Sequence, residues 1–145
     1  MKNLASTVIT ILIICGCDPA DNRFCFKNNS NIDVFIYYSC DTSLDNMHWF
    51  KSGIYWDPMS KDSIYMEGDH TIKKHMSKKI VERGFNAWRG YIKDCKGKIY
   101  LYVFPDSIFY RYPLDEIKKR KMYLKRIELT LKELEAKNWT VTFPE

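Results

Sequence analysis

The segment Lys98-Ile99-Tyr100-Leu101-Tyr102-Val103-Phe104 constrains this chain more than any other. Aromatic and β-branched residues dominate it, and these types favour a strand. A strand with one wet face alternates apolar and polar side chains. Here both alternating sets are apolar, which predicts a central strand covered on both faces. Pro105-Asp106 ends it.

Other segments have strand character of a more ordinary kind. Arg23-Phe24-Cys25-Phe26-Lys27 and Ile32-Asp33-Val34-Phe35-Ile36-Tyr37-Tyr38 flank the turn cluster Asn28-Asn29-Ser30-Asn31. Asn and Ser favour turns because their short polar side chains bond the local backbone and Asn tolerates the left-handed region. The two runs therefore predict a hairpin, with Cys25 opposite residues 32–34. Short strands are expected at residues 53–56, before Asp57-Pro58, and at 63–66, before Gly68-Asp69. Residues 122–129 alternate Met122, Leu124 and Ile127 with Lys125, Arg126 and Glu128, as a strand or extended lead-in would. Trp139-Thr140-Val141-Thr142-Phe143-Pro144 ends the chain with period two.

Helix signals are fewer. Pro113-Leu114-Asp115-Glu116-Ile117 opens a short helix, with Pro and acids in its first turn and Lys118-Lys119-Arg120 towards its end. Thr130-Leu131-Lys132-Glu133 is a capping box, with Thr130 as N-cap and Glu133 reaching back. It starts a helix over residues 131–137, closed by Asn138 in the left-handed region. Met76, Ile80 and Val81 fall at helical spacing, so residues 75–83 read as one or two helical turns ended by Gly84. The fold expected is α+β and mainly antiparallel: a small sheet or sandwich with two short helices in the C-terminal half.

The N-terminus is a different kind of segment. Lys2 precedes an apolar run, residues 4–15, and Ile14-Cys15-Gly16-Cys17 follows. A membrane-spanning helix needs about 17–25 apolar residues, and this run is shorter. A charged start, a short apolar core and a small residue before the cut form a cleaved export signal. The order resembles the lipobox of bacterial lipoproteins. That resemblance implies cleavage between Gly16 and Cys17 and a diacylglycerol on the Cys17 thiol. The division expected is a signal peptide over 1–16, the lipidated Cys17 and a solvated tether over 17–22 carrying Asp18, Asp21 and Asn22, and one globular β-rich domain over 23–145. The address is the cell envelope, the outer membrane before the inner, on its periplasmic or surface face.

Composition bounds the rest. The mature 129 residues suffice for one ordinary domain. The formal charge of +5 becomes +4 when Lys2 leaves with the signal. Mild basicity outside the cytoplasm does not point to nucleic acid. Five cysteines reduce to three once Cys15 is removed and Cys17 is acylated. An exported protein can form disulfides, and three thiols allow one bridge. Cys40–Cys95 and Cys25–Cys40 are candidate pairs, beside three buried free thiols.

A second resemblance covers residues 24–44 and 98–144. Leu124-Lys125-Arg126, Leu129-Thr130-Leu131-Lys132-Glu133-Leu134 and Asn138-Trp139-Thr140-Val141-Thr142-Phe143-Pro144 resemble the ending of a family of small uncharacterised lipoproteins of Gram-negative anaerobes. Cys40-Asp41-Thr42-Ser43-Leu44 is similar to that family's Pro-Asp-Thr segment after the opening strands. The resemblance implies a compact domain on a lipid anchor with no assigned activity, and its motifs bring no catalytic residues with them; no cofactor is expected.

Candidate chemistry is sparse. His48, His70, His75 and Cys95 have no zinc-site spacing, so no metal is expected. Asp57, Asp62, Glu67 and Asp69 could supply paired acids for an envelope hydrolase, but their spacing is ordinary, and no catalytic residue is assigned. Lys118, Lys119, Arg120, Lys121, Lys125 and Arg126 form a basic run that reads as a solvated face or a contact for acidic lipid or polysaccharide. Trp49 and Trp56, in the irregular stretch 41–60, are the candidate contacts for a glycan or envelope protein; Trp139 reads as core. The function expected is non-enzymatic binding or structure at the envelope. An envelope hydrolase or inhibitor, and an immunity lipoprotein against a toxin, are the alternatives.

Overall fold

The computed structural model describes residues 20–45, 47, 54–56, 63–65 and 70–145; for 54–56, 63–65 and Arg83 only the backbone is described. The strands are β1 (Ala20–Asn28), β2 (Val34–Ser39), β3 (Ile54–Trp56), β4 (Ser63–Tyr65), β5 (Thr71–Ile72), β6 (Ser77–Arg83), β7 (Lys98–Pro105), β8 (Lys125–Thr130) and β9 (Thr140–Phe143). The helices are α1 (Ala87–Asp94), a 3-10 helix (Asp106–Tyr110), α2 (Leu114–Lys119) and α3 (Leu131–Ala136). Two sheets result, in the orders β6-β1-β9 and β5-β2-β7-β8, with β3-β4 as a separate antiparallel ribbon. The α+β, mainly antiparallel expectation holds.

Strand β7 has the central place that its composition predicts, between β2 and β8. Ile99, Leu101 and Val103 face the core between the sheets, with Phe24 and Phe26 of β1, Ile80 of β6, Trp88 and Ile92 of α1, and Val141 of β9. Tyr100, Tyr102 and Phe104 face the other way, under Ile108, Phe109, Leu114 and Ile117 from the 3-10 helix and α2. Continuous apolar character was required because both faces are covered. The segment between β7 and β8 thus forms a third layer on the four-stranded sheet.

Three expectations are corrected. First, β1 and β2 do not pair. β1 joins β6 and β9, whereas β2 joins β5 and β7. Both strands bury alternate side chains in one shared core, so the chain crosses from one sheet to the other between them. Second, residues 77–83 form a strand. Of the three residues at helical spacing only Ile80 is buried; Met76 and Val81 are 58% and 53% exposed. The adjacent β-branched pair Ile80-Val81 suits an extended chain, and β1 supplies its backbone partners, Phe24 opposite Ile80 and Lys27 opposite Ser77. Third, the domain does not begin at residue 23. β1 starts at Ala20, and Asp21, expected in a solvated tether, is buried.

The reason for that burial is helix α1, which adds to the two expected helices. Its N-cap, Asn86, makes no side-chain cap bond. Asp21 serves instead from another strand: its Oδ2 accepts from the Trp88 amide at 3.1 Å and its Oδ1 from Arg23 Nε at 2.7 Å. A carboxylate at a helix N-terminus satisfies an amide that the helix leaves unpaired and meets the positive end of the dipole.

The C-terminal segment follows its sequence signals. Thr130 Oγ1 accepts from the Glu133 amide, and Glu133 Oε2 accepts from the Thr130 amide at 2.8 Å. Asn138 takes φ 49°, and Trp139 enters the core. That β9 then lies parallel to β1, Val141 opposite Phe26, follows from α3 carrying the chain between sheets. Among the described residues no helix is long and apolar enough to cross a membrane.

Candidate functional site

The last residue of β1 organises one end of the sandwich. Asn28 is fully buried. Its Nδ2 donates to the carbonyls of Ile32 (2.8 Å), Ile72 (3.1 Å) and Lys73 (3.2 Å). Its Oδ1 accepts from the amide of Ser30 at 3.0 Å and from Ser30 Oγ at 2.6 Å. One side chain therefore ties the crossover loop 29–33 to the end of β5 and the turn after it. Buried amides are kept only when their bonding capacity is used, and here it is.

Asp33 extends the same network. Its Oδ2 accepts from Lys73 Nζ at 2.8 Å and its Oδ1 from the Lys74 amide at 2.9 Å. The bond from Lys73, then that from the Lys74 amide, holds the Asp33 carboxyl below its ordinary pKa. The Asp33 carbonyl accepts from the Asp106 amide at 3.0 Å, and Asp106 Oδ1 accepts from Thr71 Oγ1 at 2.9 Å. Three loops, from β1–β2, β5–β6 and the end of β7, thus meet around an open cleft of about 400 Å³. Asn31, Ile32, Asp33, Lys74, Ser107 and Tyr110 are among its lining residues. Ile32 and Tyr110 are exposed.

The Asp33 carboxylate lining the cleft is tied to the Lys73 ammonium and the Lys74 amide. A general acid needs a raised pKa to hold its proton near neutrality, and Asp33 is shifted the other way. Its carboxylate and that of Asp106 serve as braces between loops. What the cleft presents to a ligand is an aromatic ring, an aliphatic side chain and a rim of amide, hydroxyl and charged groups. Sites for sugars and peptides combine apolar surface with a few placed polar groups in this way.

A second cluster of ionisable groups clamps the sheets at the opposite end. Tyr38 of β2 donates its hydroxyl proton to Glu82 of β6. The Trp88 and Tyr91 rings lie edge-on to Tyr38 at 4.9 and 5.5 Å, and the His70 ring is 5.7 Å away. Burial, first, pushes Tyr38 well above the usual tyrosine range and Tyr91 up to about 12. These are neutral phenols used for packing.

Of the residues proposed from sequence, Gly16, Cys17, His48, Trp49, Asp57, Asp62, Glu67 and Asp69 lie outside the described residues, and the Trp56 side chain does too. Cys40 and Cys95 are joined in a disulfide across 55 positions of sequence, with Cα atoms 4.8 Å apart. Cys25 is a half-buried free thiol. Among the described residues no group of three His, Cys, Asp or Glu side chains is arranged to hold a metal. Trp88 is fully buried and donates from Nε1 to the Ile80 carbonyl at 3.0 Å; Trp139 is buried beneath the Arg23 guanidinium, 5.1 Å from its ring. Neither presents a stacking face to a ligand.

The basic run is divided among α2, the turn after it and β8. Arg120 pairs with Glu116 at 2.7 Å and lies over Tyr112, Lys118 donates to the Asp45 carbonyl, and Arg126 lies over Tyr100. The cleft residues had a fainter signal. Asp33 interrupts an otherwise apolar strand, and Asn28 sits at a position that the strand's alternation assigns to the core. Comparison with protein-family models, with curated proteins and with solved structures returns no match.

Proposed function

We propose that this chain is a lipid-anchored protein of the cell envelope whose cleft at the end of β1 binds an envelope glycan without catalysis. One observation carries the binding reading: the end of the sandwich bearing the cleft is built by a fully buried Asn28, and it leaves Tyr110 and Ile32 exposed beside Asn31, Asp33 and Ser107. An exposed aromatic ring next to polar side chains suits a sugar, whose CH faces stack while its hydroxyls bond. The lipid anchor is supported by Ile14-Cys15-Gly16-Cys17 after a short apolar run. The cleft lies at the Asn28 end of β1, and the residues following Cys17 enter at the Ala20 end. Eight steps of about 3.3 Å separate them, roughly 26 Å, so the anchor leaves the cleft accessible.

The hydrolase reading on Asp57, Asp62, Glu67 and Asp69 rests on residues outside the described ones, and no geometry favours it. The outer-membrane address is part of the proposal, as is the family resemblance. The test is binding of the full chain in detergent to peptidoglycan fragments and envelope polysaccharides, with Tyr110→Ala and Ser107→Ala alongside. Retention of one glycan class that both variants weaken supports the reading. Glycan binding indifferent to both variants, or none at all, refutes it. Mass analysis of the purified chain for acyl groups on Cys17 tests the anchor separately.

A further inference from the structure

The turn between β6 and α1 projects a large apolar side chain into water. Phe85 is 83% exposed, the highest value for a large hydrophobic residue among the described ones. The turn is held firmly. Gly84 has φ 113°, a conformation that side chains resist, and Asn86 has φ 55°. Arg23 Nη2 donates to Asn86 Oδ1 at 2.7 Å, while Asp21 holds both Arg23 and the Trp88 amide. Two residues of β1 thus fix a turn whose central side chain packs against little of the protein. Val81, 53% exposed, lies four positions earlier on β6.

This apolar tip sits where the chain enters the fold. Ala20 pairs with Arg83, the residue before Gly84. Only Asp18 and Pro19 stand between Cys17 and Ala20. Three Cα steps of at most about 3.8 Å give a reach of about 11 Å. The headgroup layer on each side of a bilayer is roughly 6 Å thick, and side chains at an interface insert by about 5–10 Å. A lipid on Cys17 therefore holds the Ala20–Arg83 end of the three-stranded sheet against the headgroups.

We propose that the turn at residues 84–86 is a membrane-docking tip, with Phe85 entering the interfacial layer of the bilayer that holds the Cys17 lipid. The proposal rests on the lipid-anchor reading and adds to it an orientation: β1 stands away from the membrane, with the Asn28 cleft directed outward. Acylation alone would leave the domain free to rotate about its tether. Phe85 supplies a second contact a short distance from the first, and two linked contacts strengthen each other through effective concentration.

The test uses the full acylated chain in phosphatidylethanolamine–phosphatidylglycerol vesicles, with and without phospholipid brominated on its acyl chains. Tryptophan emission is compared for the parent, for Phe85→Trp and for Met76→Trp, the last lying in the exposed turn beside Asn28. The emission added by Phe85→Trp is expected to be blue-shifted and quenched at least twofold by brominated lipid, and that added by Met76→Trp to be unaffected. Added emission from Phe85→Trp that stays at the water-exposed wavelength and unquenched, in protein that remains vesicle-bound and acylated, overturns docking and leaves the anchor standing. Equal quenching at both positions overturns the orientation. A chain recovered without acyl groups on Cys17 and unbound to vesicles overturns both readings.

Discussion

Replacing Asn28 by Ala removes the side chain that joins the β1–β2 crossover to the end of β5 and the turn after it, and its cost can be worked from the bonds it makes. Nδ2 has two hydrogens and three acceptors within reach, so the longer contacts, to Ile72 and Lys73, share one hydrogen. Two donated bonds and two accepted from Ser30 give about four. At about 1 kcal/mol net each, the ceiling is about 4 kcal/mol. Ser30 and Ile32 lie near the surface, where water can replace the lost partner, which lowers the expected loss to about 3 kcal/mol. With a urea slope of about 1.5 kcal/mol per M for a domain of this size, the unfolding midpoint should fall by about 2 M. Asn28→Asp keeps the shape and the accepting oxygen but turns a second acceptor towards three carbonyls, so it should be worse than Ala. Equilibrium urea unfolding followed by near-ultraviolet circular dichroism is the assay. A midpoint shift below about 0.3 M for Asn28→Ala, or Asn28→Asp more stable than Asn28→Ala, would refute the reasoning.

Other consequences follow from the same structure. Reducing the bridge, or making Cys40→Ser with Cys95→Ser, opens a loop of 55 residues; the chain-entropy relation gives about 4 kcal/mol as the ceiling, and thermal unfolding of oxidised and reduced protein should differ by about half that or more. Thr130→Ala should cost about 1 kcal/mol by removing the cap of α3. The amide of Thr130, then its hydroxyl, holds the Glu133 carboxyl below its ordinary range. A carboxyl lowered on folding stabilises the fold above its unfolded pKa, near 4.3, and loses that contribution as pH falls through the folded value. An NMR titration should place Glu133 below that reference in the parent and move it only part of the way back in Thr130→Ala, which loses the hydroxyl donor but keeps the backbone amide. Tyr91 is raised to about 12 by burial, then by neighbouring charge. A neutral phenol raised on folding contributes stability that is full below pH about 10 and is lost as pH climbs towards the folded value. Ultraviolet titration of the native protein should show Tyr91 still neutral at pH about 11, and Tyr91→Phe should flatten the alkaline fall in stability.

Much of the fold was legible because its signals are local. The two-sided apolar pattern of Lys98-Ile99-Tyr100-Leu101-Tyr102-Val103-Phe104, the capping box at Thr130 and Glu133, and the alternation after Trp139 each lie within a few residues and agree with the structure. The hairpin expected around Asn28 failed for the opposite reason. Turn chemistry shows that the chain changes direction, but the sheet that receives β2 depends on β7, about 65 positions away in sequence. Residues 75–83 satisfied a helical period through Met76, Ile80 and Val81, and the decision fell to β1, which offered a pairing edge. The candidate cleft was almost invisible. Asn28 and Asp33 bound the β1–β2 crossover while Asp106 follows β7, and their types were read as turn, strand or strand-end residues.

The sequence by itself determined the β-rich α+β class, a doubly covered central strand and the cap of the last helix. Each depends on side-chain type and spacing over one element. Only the tertiary structure decided that Asp21 caps α1, that Asn28 ties the β1–β2 crossover to the turn after β5, and that Phe85 follows closely on Arg83, the partner of Ala20. Those facts depend on which distant backbones meet, and a burial or a hydrogen bond between them exists only after the sheets have packed.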